Sequence, residues 1–321
     1  MEQLLLTAYS AAYEAQCIQL ALDVEAKAQA FYKERLKDDI WTAAFGNWEQ
    51  TTTDRVKADL SQLPAFVAVR NGSVVGFAAY RMAKNIGIFA SKAVDASSDC
   101  ACALYEALLS DMRRKGLTHC MVDCFNEPYN EAEREGFRAA GFEKYLPHVR
   151  YYQALQEKVE LPETQLQIVR CEKEHIADCS RIAVQVWEGI HDAYIGMIGE
   201  DIHEAVSGGW REAKAAEVAA QQERKTSFVA LLDGKVVGFV GCRMANENLG
   251  VVGYNGVDPE YRGKGIARYL YQRALDEIRS QGAPYATVFT GGDDGHAPAR
   301  RAYEKAGFNE RLFTLTYYRA L

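Results

Sequence analysis

The stretch VDPEYRGKGIARYL, residues 257–270, decides how this chain is read. It leaves an apolar strand, turns through Asp-Pro, spends two glycines and two cations on a short loop, and enters an apolar-periodic segment. Ile266, Leu270, Ala274 and Ile278 recur every four residues, with Ala267, Tyr271 and Leu275 beside them. Arg273, Asp276, Glu277 and Arg279 take the other side, so the spacing predicts a helix from about Gly265 to Gln281. Gly282 is a natural stop, and Pro284 prevents continuation. LGVVGYNGV (249–257) upstream and YATVFT (285–290) downstream read as strands. The loop therefore sits between a strand end and a helix N-terminus. There the first backbone N–H groups lack internal partners and point outward at the positive end of the helix dipole. Gly263 and Gly265 have no Cβ to hold an anion away and can take φ > 0. With Arg262 and Lys264 adding charge, the reading is a cradle for a diphosphate. A Walker A loop needs Ser or Thr after Gly-Lys, and here Gly265 follows Lys264. The dinucleotide fingerprint needs a third glycine where Arg268 stands.

A second motif lies downstream. Pro298 suits the first turn of a short helix that Gly307 ends. Along it Ala299, Tyr303, Gly307 and Phe308 fall in the pattern Ala-x-x-x-Tyr-x-x-x-Gly-Phe. This pattern, together with Arg-x-x-Gly-x-Ala at Arg262, Gly265 and Ala267 after Val257-Asp-Pro259, resembles the acetyl-CoA motifs of the Gcn5-related N-acetyltransferase (GNAT) family. The family often carries Asn seven residues before that tyrosine, where this chain has His296.

The resemblance implies transfer of an acetyl group from acetyl-CoA to an amine. It implies two strands splayed apart to admit the pantetheine, here LGVVGYNGV and YATVFT. Cofactor contacts then fall to Val257, Arg262, Gly263, Lys264, Gly265, Ile266, Ala267, His296 and Ala299. A backbone N–H near Val257 is the implied donor to the developing oxyanion, and Tyr303 the implied acid for the CoA thiolate. Relatives often hold a basic glutamate on the strand before the loop. LGVVGYNGV has none, and Glu247, just ahead of it, is the candidate. Glu188, His191 and Asp192, with Trp187, Tyr194 and Trp210, lie where such proteins bind the acceptor.

The chain is also a duplication. FVAVRNGSVVGFAAYRMA (66–83) and FVALLDGKVVGFVGCRMA (228–245) share eleven of 18 positions. GFEKYLPHVRYYQAL (141–155) likewise matches GFNERLFTLTYYRAL (307–321). Each half reads as helices, a hairpin turning at Asn71-Gly72 or Asp233-Gly234, and a strand–helix–strand unit. The expected architecture is α+β, with two tandem GNAT-like domains, each a mixed, mostly antiparallel sheet with helices on both faces. Boundaries are expected at 1–155 and 166–321, with 156–165 as linker. The first copy keeps the frame and loses the motif. VDASSDCACALY (94–105) is three residues shorter, has no arginine or glycine, and places Asp95 and Asp99 where phosphate would sit. Phe137 takes the position of Tyr303. The first half is expected not to bind acetyl-CoA.

Composition narrows the partners. A net charge of −7 argues against nucleic acid. No apolar run approaches a membrane span. Eight cysteines without a secretory leader point to reduced thiols in a cytoplasm. Cys100, Cys102, Cys120 and Cys124 read as buried small hydrophobes, so no metal is expected. The reading is an acetyl-CoA-dependent N-acetyltransferase acting on an amine-bearing small molecule or peptide. The alternative is a non-catalytic module that binds and senses acyl-CoA.

Overall fold

A computed structural model describes residues 4–95, 98–125, 131–155 and 161–321. Residues 156–160 of the expected linker lie outside these, as do Ala96, Ser97 and the side chain of Asp99 in the shortened loop of the first copy. The first half runs β1 (Leu5–Ala8), α1 (Glu14–Arg35), α2 (Asp38–Phe45), α3 (Trp48–Gln62), β2 (Ala65–Arg70), β3 (Ser73–Ala83), β4 (Ile86–Val94), α4 (Ser98–Arg114), β5 (His119–Phe125), α5 (Glu131–Ala139) and β6 (Lys144–Ala154). The second half repeats this order as β7 (Gln167–Arg170), α6 (Ile176–Ile198), α7 (Glu200–Ser207), α8 (Trp210–Gln222), β8 (Ser227–Leu232), β9 (Lys235–Met244), β10 (Leu249–Val257), α9 (Ile266–Ser280), β11 (Tyr285–Gly291), α10 (Ala297–Lys305) and β12 (Glu310–Ala320).

The hairpins form where the turn chemistry predicts. Asn71 and Gly72 have φ of 52° and 80°, and Asp233 and Gly234 have 51° and 75°. Two successive positive φ values give the turn whose twist matches that of the flanking strands. Each sheet region is mixed and mostly antiparallel, with helices on both faces. Alternation along the strands fills both layers. In β9 a bulge opposite Ala230–Leu231 shifts the alternation by one, so that Val237 and Val240 face α9 and α10 while Val236 and Phe239 face α6 and α8. In β3, Ala78 and Tyr80 face α4 and the segment around Phe137, and Phe77 and Ala79 face α1 and α3.

The two sheets are one. The strand order is β1-β2-β3-β4-β5-β12-β6-β11-β10-β9-β8-β7. Read from either end it is the same list, so a pseudo-twofold axis passes between β12 and β6. Each half gives its last strand to the other. β6 pairs with β11 from Tyr285↔Ala154 to Gly291↔His148. β12 pairs with β5 from Thr314↔Phe125 to Ala320↔His119. Val149 and Tyr151, carried by the first half, are buried in the apolar core of the second.

Candidate active site

The site begins where β10 and β11 separate. Their parallel pairing covers only Leu249↔Tyr285 to Val252↔Val288. Beyond it β10 stays with β9 and β11 stays with β6, so Gly253–Val257 and Phe289–Gly291 diverge as a fork. A bulge between Val252 and Asn255 re-aims the β10 arm. Gln221 of α8 plugs it. The Tyr254 N–H donates to Gln221 Oε1 at 2.8 Å, and Gln221 Nε2 donates to the Tyr254 carbonyl at 3.0 Å. A Cβ on Gly241 or Gly253 would collide with that glutamine, which explains both glycines. Asp258 N–H donates to the Val237 carbonyl on β9. Strand alternation then turns the Val257 N–H to the opposite edge, toward the fork.

The glycine loop closes one end of the fork. Gly263 and Gly265 have φ of 78° and 76°, and Gly265 launches α9. An added Cβ at either would meet nothing within 4 Å, so backbone conformation and open space, not crowding, account for them. Among the described residues, no acceptor takes the amides of Gly263, Lys264, Gly265, Ile266 or Ala267. Five unpartnered N–H groups at a helix N-terminus are the donor set a diphosphate needs. Asp258 anchors the loop. It accepts from Glu260 N–H at 3.1 Å and pairs with Arg181 of α6 at 3.0 Å.

Tyr303 projects from α10 into the base of the fork. Its hydroxyl meets Asn255 on the β10 arm, with Nδ2 at 3.0 Å and Oδ1 at 3.3 Å. Tyr271 of α9 donates to the same Oδ1 at 2.8 Å. Burial raises the Tyr303 phenol above its ordinary range, with Asn255 and Tyr271 offsetting part of the rise. The group therefore stays protonated at neutral pH. Ala299 lies one turn before it, where a small residue leaves room.

The other expected site residues divide. Arg262 and Lys264 are exposed at the cradle, with Lys264 Nζ 4.8 Å over the Tyr261 ring. Ile266 is buried under the cradle and Ala267 half-buried beside it. His296 is buried at the entry to α10, its Nδ1 2.6 Å from Asp293 Oδ2. Burial pushes Asp293 up, but its hydrogen bond with His296 outweighs this and holds the carboxyl low. Glu247 is not brought to the site. It is exposed on the β9–β10 hairpin, at the opposite end of β10 from Val257. A nine-residue strand, about 30 Å long, separates it from the cradle. Sequence reasoning missed Asn255 and Gln221. A lone asparagine in the apolar run LGVVGYNGV was the available signal. A cavity of about 200 Å³ lined by Gln153, Gln272, Arg279 and Gly307 lies toward the other end of α9, away from the cradle.

The first copy shows the same fork filled in. β4 and β5 pair only from Ile86↔His119 to Ile88↔Met121. Beyond them, Lys92 stands in the place of Asn255 and Glu133 in the place of Ala299, joined at 2.8 Å. Tyr105 Oη and Cys124 Sγ also reach that carboxylate, each at 3.5 Å. Phe137 stacks on Tyr105 at 4.5 Å and meets Phe89 and Phe142 edge-on. Burial lowers the Lys92 ammonium, but Glu133 outweighs it and keeps the charge. Removing one member of such a pair strands the other. Lys92→Met is expected to cost about 3–5 kcal/mol in a denaturant titration. Combining it with Glu133→Gln should recover most of that loss. Equal stability of both variants would show that the pair is solvated and contributes nothing.

Residues 191–308, which span the fork, the cradle and α10, match the family model described as Acetyltransferase (GNAT) family. The second half is thus similar to the GNAT family. The chain is 32% identical over 90 residues to mycothiol acetyltransferase of Thermomonospora curvata, which covers 28% of this chain and 30% of that one. It is 30% identical over 98 residues to the [Ribosomal protein bS18]-alanine N-acetyltransferase of Escherichia coli K12, 30% of this chain and 64% of that one. The aligned region thus spans less than two thirds of either relative. Two solved structures share the fold across 99% of the chain. A GCN5-related N-acetyltransferase from Sphaerobacter thermophilus has a TM-score of 0.61 at 14% identity, over 95% of its own length. A tandem GNAT protein from the clavulanic acid biosynthesis pathway has 0.56 at 13%, over 98% of its own length. Among the described residues, no helix is long and apolar enough to cross a membrane, and no group of three or more His, Cys, Asp or Glu could hold a metal ion.

Proposed function

We propose that the second half transfers an acetyl group from acetyl-CoA to a primary amine by direct attack in a ternary complex. The observation that carries this reading is the row of five unpartnered amides from Gly263 to Ala267, set at the mouth of a strand fork. The diphosphate of CoA would lie on those amides, with Arg262 and Lys264 screening its charge. The pantetheine would run between the arms toward Tyr303. As the amine nitrogen bonds the thioester carbon, the carbonyl oxygen gains charge, and the Val257 N–H is placed to receive it. The C–S bond then breaks, the Tyr303 hydroxyl gives its proton to the departing sulfur, and the proton released by the amine nitrogen passes through solvent and restores the phenol. Asn255 holds that hydroxyl at 3.0 Å, so the proton donor is fixed before substrate arrives. His296 keeps the entry to α10 rigid through Asp293. The first half does not bind acetyl-CoA, because the Lys92–Glu133 pair and four aromatic rings take the space.

The acceptor is an amine on a small molecule or a peptide. The Escherichia coli relative, named for an alanine of ribosomal protein bS18, agrees with an amine of that kind. Tyr303→Phe tests the chemistry. The release of free CoA thiol with an amine panel should fall about 10²-fold in kcat, while calorimetry finds acetyl-CoA affinity nearly unchanged. An unchanged kcat would remove Tyr303 from the reaction. Tight acetyl-CoA binding with no CoA release from the parent protein would leave a binding module instead.

A further inference from the structure

Phe289 is 47% exposed although it lies on β11, near the middle of a twelve-stranded sheet. The reason is a groove. Even-numbered residues of β6 share one face, and that face is covered only at its ends. Leu146 packs under Ile198 and Ile202 of α6 and α7. Tyr152 packs under Tyr32 and Ile40 of α1 and α2. Between these two contacts, about 20 Å apart along the strand, the floor carries His148 and Arg150. Register places Phe289 beside Arg150 and Gly291 beside His148. The Arg150 guanidinium lies 5.0 Å over the Phe289 ring, and the His148 ring stacks on the same phenyl at 5.2 Å.

Three facts give this platform a purpose. First, Arg150 is half-buried and has no carboxylate or other hydrogen-bond partner among the described residues. Second, Phe289 directly follows Val288, the last β11 residue paired with β10, so the platform flanks the fork. Val288 faces α9 and α10, and alternation therefore puts Phe289 on the opposite face, the one open to an acceptor. Third, the first copy has no such platform. Asp123 stands in the place of Phe289 and Thr316 in the place of Arg150, bonded to each other at 2.6 Å. The arginine and the exposed phenyl occur only beside the intact cradle. His148 is kept busy by Thr316 at 3.1 Å, and burial lowers its pKa, so Arg150 supplies the positive charge.

We propose that Arg150, carried on the strand that the first half lends to the second, binds a carboxylate of the acceptor, so that the substrate is an amine that also bears a carboxylate. A guanidinium held 5.0 Å over a phenyl ring, with no hydrogen-bond partner of its own, keeps its N–H groups for a two-point bond to a planar carboxylate. The amine end of the same molecule then reaches the fork. This proposal rests on the transferase reading and names its substrate class.

The test uses acceptors matched except for the carboxylate, such as 6-aminohexanoate against hexylamine and β-alanine against ethylamine. CoA release is measured for the parent protein, Arg150→Gln and Arg150→Lys. The parent should prefer the carboxylated member at least tenfold in kcat/KM. Arg150→Gln should erase that preference through KM, with kcat and acetyl-CoA affinity held, and Arg150→Lys should restore part of it. No preference in the parent, or a preference that survives Arg150→Gln, overturns the proposal. If acetyl-CoA binds and neither amine is turned over, the transferase reading fails separately. Calorimetry of 6-aminohexanoate against hexylamine on the acetyl-CoA-loaded protein then decides. Binding of the former alone, lost in Arg150→Gln, supports the carboxylate site, and equal or absent binding sinks it.

Discussion

Gly265→Val is expected to abolish acetyl-CoA binding while leaving the fold standing. The parent chain should titrate with one site, and the variant should lose at least 100-fold in affinity by calorimetry. Gly265 sits at φ of 76°. A β-branched residue is strained there by roughly 1–2 kcal/mol. That strain can relax only by turning the peptide whose amide belongs to the cradle. The new side chain also enters space where no protein atom lies within 4 Å, so it displaces ligand and not core. Gly282→Val is the matched control. Gly282 has φ of 92°, open space around it, and a place just beyond the far end of the same helix. It should lower the melting temperature by a similar amount and leave the titration intact. Retained affinity in Gly265→Val would remove the cradle. Two sites in the parent would mean that the first copy also binds.

Residues 161–321 expressed alone should aggregate or fail to bind acetyl-CoA, and co-expression with residues 1–160 should rescue both properties as a one-to-one complex. The reason is the exchanged strand. Without β6, β11 shows an unpaired edge over seven residue pairs. Such edges recruit other chains. The core also loses Val149 and Tyr151, and Tyr151 closes on Glu304 of α10 at 3.0 Å and on the Tyr303 ring at 6.4 Å. Each buried apolar side chain of that size is worth roughly 1.5–3 kcal/mol, so the isolated half loses much of the 5–15 kcal/mol typical of a domain. Size-exclusion chromatography and circular dichroism would check this. A soluble, folded fragment that binds acetyl-CoA would show that the strand exchange is dispensable.

Local chemistry was readable, and partner choice was not. Glycines at 263 and 265, the turn pairs Asn71-Gly72 and Asp233-Gly234, and the period of α9 each encode a backbone state in a few adjacent residues. The placement of Tyr303 on the same helix face as Ala299, one turn later, follows from helical spacing. By contrast, LPHVRYYQA and LFTLTYYRA share four of nine positions and keep an apolar residue at the position of Val149 and Leu315. Backbone pairing is the same for either strand, so their patterns alone do not say that they trade places. Arg150 and Phe289 are 139 positions apart, and they meet only because β6 crosses over. Asn255 becomes meaningful only when the bulge turns its side chain to Tyr303. Glu247 looked near the strand in sequence, yet it sits on the hairpin at the far end.

The crossing strands also set an order of events. β12 is the last of the twelve strands to leave the ribosome, yet it lies between β5 and β6. Its partners on β5 precede it by about 190–200 positions, from Thr314↔Phe125 to Ala320↔His119. Contacts of such long range form slowly. The seam between β5 and β6 therefore closes only after β12 has been synthesised. Each half thus supplies the strand that completes the other's sheet, which ties the two copies together whatever chemistry each one carries.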